Sequence, residues 1–233
     1  MIEFFATIPR AYVDANLPEG SYMVSASRFW DAPRGRFRPC AHIPTRRYFI
    51  DSGAFTFPGG LPYSWEKYEA FARTWSPAFV AGMDVFASAR STVEFLEQHP
   101  ELVNTELPLV PVVTGRTPEE YGWCFEKTRE FFGPRTPSLM AVGALKGQRD
   151  LLRILELLEN DDGIRFHLFG ATLVQLRQAT RQVFSCDNGS WNGRFGPSID
   201  AFNAIMKATG KTQKQVALEI ILPRYRQHPV FTI

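Results

Sequence analysis

Short apolar runs alternate with amphipathic stretches along most of the chain. The runs are rich in Val, Phe and Ile and are too short for helices, so each one predicts a buried strand. They cover residues 4–8, 22–27, 48–53, 78–84, 109–115, 139–145, 165–171 and 182–187. The pattern therefore predicts a sheet whose strands are separated by longer, helix-forming segments.

The segments between the runs carry helix signals. Ser91–Glu94 (STVE) and Thr117–Glu120 (TPEE) fit the capping box, in which a hydroxyl and a carboxylate three residues later satisfy exposed backbone N–H groups. Both predict helix starts at these positions. Residues 148–159 predict another helix, and two more are expected after the last strand, at 198–208 and 212–224, the second opened by a T-x-x-Q box.

Strand–helix alternation of this kind predicts parallel strands joined by right-handed crossovers. Eight strands in 233 residues favour an α/β fold, a compact and irregular (β/α)₈ TIM barrel, with an open doubly wound sheet as the alternative. We expect one domain over residues 1–233. Its first connections are irregular and include a basic loop region at 28–47, and C-terminal helices fill 198–226.

Composition excludes several classes of protein. Apolar residues make up 45% and charged residues 21%, as in soluble globular chains. No apolar run reaches the ~18 residues of a membrane helix, and the first residues, with an acid at Glu3 and no basic segment, do not fit a signal peptide. Cys40, Cys124 and Cys186 lie far apart, so structural zinc is not expected and a reducing, cytoplasmic compartment fits best.

Arginines are concentrated between residues 28 and 47. This segment holds six of them and one acid, Asp31, although the net charge of the whole chain is only +2. The arginines are Arg28, Arg34, Arg36, Arg38, Arg46 and Arg47. Such a local surplus is typical of a loop that contacts phosphates, and equally of an ordinary solvated loop.

Carboxylates and glycines follow the predicted strands, where ligands bind in both candidate folds. Asp51, Asp84 and Asp187 all lie at such strand ends. Carboxylates accept hydrogen bonds or attack as nucleophiles, and glycines allow a ligand to approach the backbone. Each aspartate alone also fits ordinary turn or capping chemistry. Their shared position is what predicts a functional site.

Six short motifs, in order over residues 49–191, resemble those of the tRNA-guanine transglycosylases. They are FIDSGAF at 49–55, AGMD at 81–84, VVTG at 112–115, AVGAL at 141–145, FHLFGAT at 166–172 and VFSCDNGSW at 183–191. The chain departs from the family in lacking its cysteine-rich zinc insertion. Thr114 also stands where the family has glutamine, and Ala54 where it has a second glycine. This short, zinc-free version is most similar to the DNA 7-deazaguanine transglycosylases of phages and bacteria.

The resemblance implies that guanine in DNA is exchanged for a 7-deazaguanine through a covalent intermediate on Asp187. Asp51 is implied as a second catalytic residue and, with Asp84, as a reader of the N1–H and N2–H₂ edge of the base. The other implied base-binding residues are Ser52, Gly53, Phe55, Thr114, Gly115, Gly143, Ala144 and Gly170. The candidates for nucleic-acid binding are Arg34, Arg36, Arg38, Arg46, Arg47, Lys146, Trp191 and Arg194.

The implied exchange requires no redox cofactor and no catalytic metal. Its partners would be DNA and a free 7-deazaguanine base, in the cytoplasm of a bacterium or of a phage-infected host, and no membrane. Whether a helicase or ATPase opens the duplex is left open. Two alternatives stand beside this one: the same fold acting on tRNA or a nucleoside, and a catalytically silent nucleic-acid-binding subunit. Cys186 is expected to be a packing residue, and His167 a core histidine with satisfied nitrogens.

Overall fold

A computed structural model of the chain describes residues 2–13, 17–40, 46–145, 150–159, 163–177, 183–188, 199–227 and 231. The strands are β1 (Glu3–Thr7), β2 (Ser21–Ser25), β3 (Trp30–Asp31), β4 (Arg36–Phe37), β5 (Arg47–Asp51), β6 (Phe79–Ala81), β7 (Leu109–Val110), β8 (Val112–Val113), β9 (Leu139–Val142), β10 (Arg165–Leu168) and β11 (Val183–Asn188). Each apolar run that was predicted as a strand contains at least one strand, so these predictions are confirmed.

A parallel, nine-stranded sheet nearly closes on itself as a barrel. Its order is β7-β6-β5-β2-β1-β11-β10-β9-β8. The two end strands follow one another in the chain and are separated only by Pro111; β7 pairs with β6, and β8 pairs with β9. Proline has no N–H to donate, but its carbonyl oxygen accepts a hydrogen bond from the N–H of Ala141 at 2.8 Å. The run at 109–115 is therefore divided at the proline.

Helices surround this sheet, so the mixed α/β prediction is confirmed. They are α1 (Trp65–Arg73), α2 (Ala89–Gln98), α3 (Pro118–Phe132), α4 (Leu151–Leu157), α5 (Leu173–Arg177), α6 (Ile199–Thr209), α7 (Gln213–Gln215) and α8 (Leu222–Arg226), with a π-helical segment at Val216–Ile221. Within the described ranges, none of them combines the length and the apolar character that crossing a membrane requires.

The helix starts show which capping signals were correct. Thr117 accepts a hydrogen bond from the N–H of Glu120, and Thr212 forms a complete capping box with Gln215, so both predictions are confirmed. The start predicted at Ser91 is wrong. The helix α2 begins at Ala89, and the Ser91 hydroxyl, inside its first turn, lies 3.0 Å from the Ser88 hydroxyl.

Two apolar clusters lie on the two faces of the sheet, because side chains alternate along each strand. The interior cluster contains no helix residue and consists of Phe5, Met23, Phe49, Ala81, Val110, Val112, Leu139 and Ala141. The outer cluster packs the helices against the strands. In it the buried Tyr68 hydroxyl of α1 lies 3.1 Å from the Ile50 carbonyl oxygen and 3.0 Å from that of Ala81, which ties β5 to β6.

The basic segment contains a hairpin that the sequence pattern did not predict. Strands β3 and β4 pair antiparallel, and the Phe37 ring stacks on Phe71 of α1 with centroids 4.4 Å apart. Trp30 packs on Tyr63 at 5.0 Å. The hairpin is therefore attached to the elements that follow β5.

Candidate active site

The carboxyl edge of the sheet holds all three predicted aspartates. Asp51 is the last residue of β5, Asp187 lies near the end of β11, and Asp84 follows β6 by three residues. Their charges interact: the Asp187 carboxylate helps to raise the pKa of Asp51, and the Asp51 carboxylate helps to raise the pKa of Asp84. The structure thus brings the three carboxylates into one site.

Asp187 is buried, and its carboxylate is held by neighbouring strands. The Thr7 hydroxyl at the end of β1 donates to Oδ2 at 2.7 Å, and the N–H of Gly170 donates to Oδ1 at 2.9 Å. Gly170 has a φ of +66°, which favours glycine, and this conformation places its N–H at the carboxylate. A carboxylate has about four lone-pair positions, so these bonds leave Asp187 able to attack an electrophile.

Asp51 is anchored by a serine and by the loop after β5. Burial raises its pKa to about 6, although the N–H of Gly53 and the Ser25 hydroxyl donate hydrogen bonds that oppose this rise. Gly53 has a φ of +88°, and a Cβ there would lie 2.6 Å from the Cβ of Ser27. The glycine is therefore required both by the backbone conformation and by the close approach of Ser27.

Replacing Gly53 with alanine should lower the free energy of unfolding by about 2–3 kcal/mol, because conformational strain and a steric overlap add. Gly163→Ala is the matched control: its φ of +73° is similar, but no atom lies within 4 Å of the added Cβ. We expect it to cost only about 1 kcal/mol. Urea denaturation of both variants measures the difference, and equal losses would contradict the Ser27 overlap.

Asp84 is the most perturbed of the carboxylates. Burial and then the Asp51 charge raise its pKa to about 7, against a hydrogen bond that the Ser52 hydroxyl donates to Oδ1 at 3.1 Å. Its Oδ2 faces Gly143: a Cβ on this glycine would lie 3.6 Å from Oδ2 and 3.7 Å from the hydroxyl oxygen of Thr114. Asp84 and Thr114 therefore approach Gly143 closely, and a Val112 methyl lies closer still, 3.1 Å from the same Cβ position.

Unpaired polar atoms point to this edge as a ligand site. Among the described residues, three buried side-chain atoms have no hydrogen-bond partner: Trp30 Nε1, Thr114 Oγ1 and His167 Nε2. Buried polar atoms are normally paired, so each of these requires an explanation. Two of them, on Thr114 and His167, lie beside the aspartates. The expectation that both His167 nitrogens are satisfied is wrong.

Two buried tyrosines that the sequence reasoning missed support the site from behind. The Tyr63 hydroxyl donates to the Ser52 carbonyl oxygen, and the Tyr121 hydroxyl donates to that of Gly143 at 2.7 Å. Burial, with the Asp51 and Asp84 charges, raises the pKa of Tyr63, so its hydroxyl stays protonated as a donor. The position of Tyr121 on the apolar face of α3 was the available signal, whereas Tyr63 lies in a loop without periodicity.

The remaining predicted base-binding residues have distinct roles. Ala144 has a φ of +54°, a strained conformation of the kind that clusters at functional sites. Gly115 packs against the first turn of α3, where a Cβ would lie 2.9 Å from that of Glu120, so its role is structural. Phe55 is 58% exposed, and its ring meets Phe86 edge-on at 5.3 Å. Phe86, which lies two residues after Asp84, was not among the predicted base-binding residues.

The basic residues of the hairpin lie on its surface. Arg34 and Arg38 donate to the buried carboxylate of Asp31 at 2.9 and 3.2 Å, while their side chains stay 67% and 48% exposed. Arg36 is also exposed. The Asp31 carboxylate orients the two guanidinium groups and leaves the N–H donors that it does not use directed to solvent.

The structure does not bring Arg46 and Arg47 to the aspartates. Arg46 donates to the Leu17 carbonyl oxygen at 3.0 Å. Arg47 begins β5 and forms an ion pair with Glu3 at 2.8 Å, at the edge of the sheet opposite Asp51. Lys146, Trp191 and Arg194 lie outside the described residues.

Comparison with protein families and with curated proteins identifies no relative of this chain. A scan against protein-family models finds no match, and neither does a search of curated proteins. Across the part of the chain that the structure describes, no three His, Cys, Asp or Glu side chains form a group that could hold a metal ion. The site itself consists of one carboxylate held by two hydrogen bonds, two carboxylates with raised pKa values, and an unpaired hydroxyl.

Proposed function

We propose that this protein is a base-exchanging glycosyltransferase that replaces guanine in DNA with a 7-deazaguanine. We also propose that the sheet is a (β/α)₈ barrel, in which β7 and β8, over residues 109–113, count as one strand. The observation that carries it is the Asp187 carboxylate, held by Thr7 and Gly170 at the carboxyl edge of the sheet beside two further carboxylates. A nucleophile among carboxylates is the arrangement that glycosyl transfer through a covalent intermediate uses.

The exchange proceeds in two steps at the sugar carbon C1′. In the first, a lone pair of Asp187 forms an O–C1′ bond while the C1′–N9 bond breaks and its electron pair leaves with guanine. In the second, N9 of the incoming base forms the new bond, and the O–C1′ pair returns to Asp187. The leaving base gains one proton and the incoming base loses one. Asp51, with a pKa of about 6, exchanges protons readily near neutral pH.

Base recognition falls to the polar groups around Asp84. Guanine presents N1–H and N2–H₂ donors on one edge, which the carboxylates of Asp84 and Asp51 accept, while the Ser52 hydroxyl fixes Asp84. Thr114 has an unpaired oxygen for the same ligand. The exposed ring of Phe55 is suited to stack on the base.

The sugar of a stacked base is out of reach, so the target nucleotide must leave the duplex or lie in a single strand. The exposed guanidinium groups of Arg34, Arg36 and Arg38 are the candidates for flanking phosphates, because their hairpin packs on Tyr63 next to the Ser52 loop. The choice of DNA rests on the resemblance to the zinc-free, DNA-modifying branch.

Incorporation of labelled guanine into DNA and into tRNA, measured side by side, tests the proposal. Label in DNA that disappears in Asp187→Asn supports both the chemistry and the substrate. Label in tRNA alone overturns the choice of DNA. No label in tRNA or in single-stranded DNA, which needs no partner to open a duplex, would identify a nucleic-acid-binding subunit instead, provided that binding is retained.

The kcat/KM of exchange should fall at low pH with an inflection near pH 7. Asp84 has a pKa raised to about 7, and only its carboxylate form, present above that pH, can accept the base N–H groups. Protonation of Asp84 alone should cause roughly a 100-fold loss between pH 8 and pH 5. In Ser52→Ala the inflection should move to higher pH, because the Ser52 hydrogen bond lowers the pKa of Asp84. A flat profile between pH 8 and pH 6 would exclude this role.

A further inference from the structure

His167 lies inside the sheet, beneath the Asp187 carboxylate. It is completely buried in β10, and its register partner in β11 is Ser185, two residues before Asp187. The rings of Phe49 and Phe169 enclose the imidazole, with centroids 4.4 and 4.7 Å away. The ring is therefore held in one plane among apolar neighbours.

The two ring nitrogens have different surroundings. Nδ1 lies 2.8 Å from the Ser185 hydroxyl, whereas Nε2 has no hydrogen-bond partner and lies 3.5 Å from Oδ1 of Asp187. A proton on Nδ1 would leave the Nε2 lone pair facing a carboxylate, which is repulsive. A proton on Nε2, with the Ser185 hydroxyl donating to Nδ1, presents an N–H to the carboxylate instead.

We propose that His167 is a positioning residue for Asp187, donating an Nε2–H hydrogen bond to Oδ1 from the barrel interior. The inference rests on the proposed function. At 3.5 Å the contact is longer than a hydrogen bond, and a movement of about 0.5 Å completes it; such bonds often tighten only during the reaction. Ser185 sets the tautomer, as outer partners of histidines commonly do.

The Nε2–H group of His167 stabilises the free carboxylate of Asp187 more than its glycosyl ester. In the covalent intermediate Asp187 is an uncharged ester, and in the second step the O–C1′ electron pair returns to the carboxylate, where the Nε2–H bond to Oδ1 strengthens. Without the donor, the balance shifts toward the covalent intermediate. Hydrogen bonds to charged groups have magnitudes that correspond to about a tenfold shift or more.

His167→Phe keeps an aromatic ring in the stack but removes the N–H, and His167→Gln retains an N–H donor. With labelled DNA as the probe, we expect the ratio of denaturation-stable glycosyl-enzyme to free enzyme to rise about tenfold in His167→Phe, and to return toward the wild-type value in His167→Gln. Ser185→Ala should produce a smaller rise. An unchanged fraction in His167→Phe that folds and turns over would overturn the inference.

Imidazole ¹H–¹⁵N spectra provide a readout that needs no turnover. The wild-type His167 signal should be that of the Nε2–H tautomer, and it should shift in Asp187→Asn. The Nδ1–H tautomer would overturn the inference while leaving the proposed exchange intact. Wild-type protein that forms no glycosyl-enzyme would overturn the proposed function, and this inference with it.

Discussion

Replacing Asp187 with asparagine should abolish base exchange, with a loss of at least about 10⁴-fold in kcat, the scale seen when a nucleophile is removed. Asparagine has nearly the same shape and still presents an oxygen to the Thr7 hydroxyl or the Gly170 N–H. What it loses is the charged oxygen that attacks C1′. Incorporation of labelled guanine and trapping of the glycosyl-enzyme on denaturing gels measure the two consequences directly.

Two further measurements show whether the loss of exchange is specific to Asp187: exchange by a control variant, and nucleic-acid binding by Asp187→Asn. Asp150→Asn changes an exposed aspartate, whose side chain forms no cap on its helix, and should leave exchange unchanged. Nucleic-acid binding by Asp187→Asn should stay within a few fold of wild type, because the exposed arginines of the hairpin are untouched. Exchange that survives in Asp187→Asn would assign the nucleophile to another residue.

The aspartates of the site could be predicted from sequence because the ends of the strands could be predicted. Val, Phe and Ile runs mark the strands, and parallel strands bring their carboxyl ends to one edge. Asp84 and Asp187 end such runs, and Asp51 lies near the end of another, so their shared edge followed from the pattern alone. Thr7 ends β1 at the same edge and could have been found in the same way, since its hydroxyl donates to Asp187.

Sequence proximity was misleading where a strand intervenes. Arg47 is four residues from Asp51, but β5 lies between them and separates them by roughly 13 Å, at opposite edges. The β3 and β4 strands have two residues each, too short for a periodic signal. The unpaired Nε2 of His167 depends on distances between neighbouring strands, which no single segment encodes.

The perturbed carboxylate at Asp84 gives the second large expected effect, in which activity and stability move in opposite directions. Asp84→Asn should lose most base exchange, because the amide presents N–H₂ donors where the base also donates. It should also raise the free energy of unfolding at pH 8. Burial disfavours the Asp84 carboxylate, and the rise of its pKa from 3.8 to about 7 corresponds to roughly 4 kcal/mol at most. We expect a gain of about 2 kcal/mol, since the amide must also be solvated or paired.

The pH dependence of this gain follows from the sign of the pKa change. The folded state binds the Asp84 proton more tightly than the unfolded chain, so the wild-type protein is destabilised fully above pH 7 and not below about pH 4. The stability advantage of Asp84→Asn should therefore shrink from pH 8 to pH 4, and Asp150→Asn, a change at an exposed position, is the variant for comparison. Urea denaturation at both pH values measures it. Asp84→Asn that is inactive but no more stable than the wild type at pH 8 would contradict this. Solvent would then offset the cost of burying the wild-type Asp84 carboxylate, and the loss of activity would reflect base recognition alone.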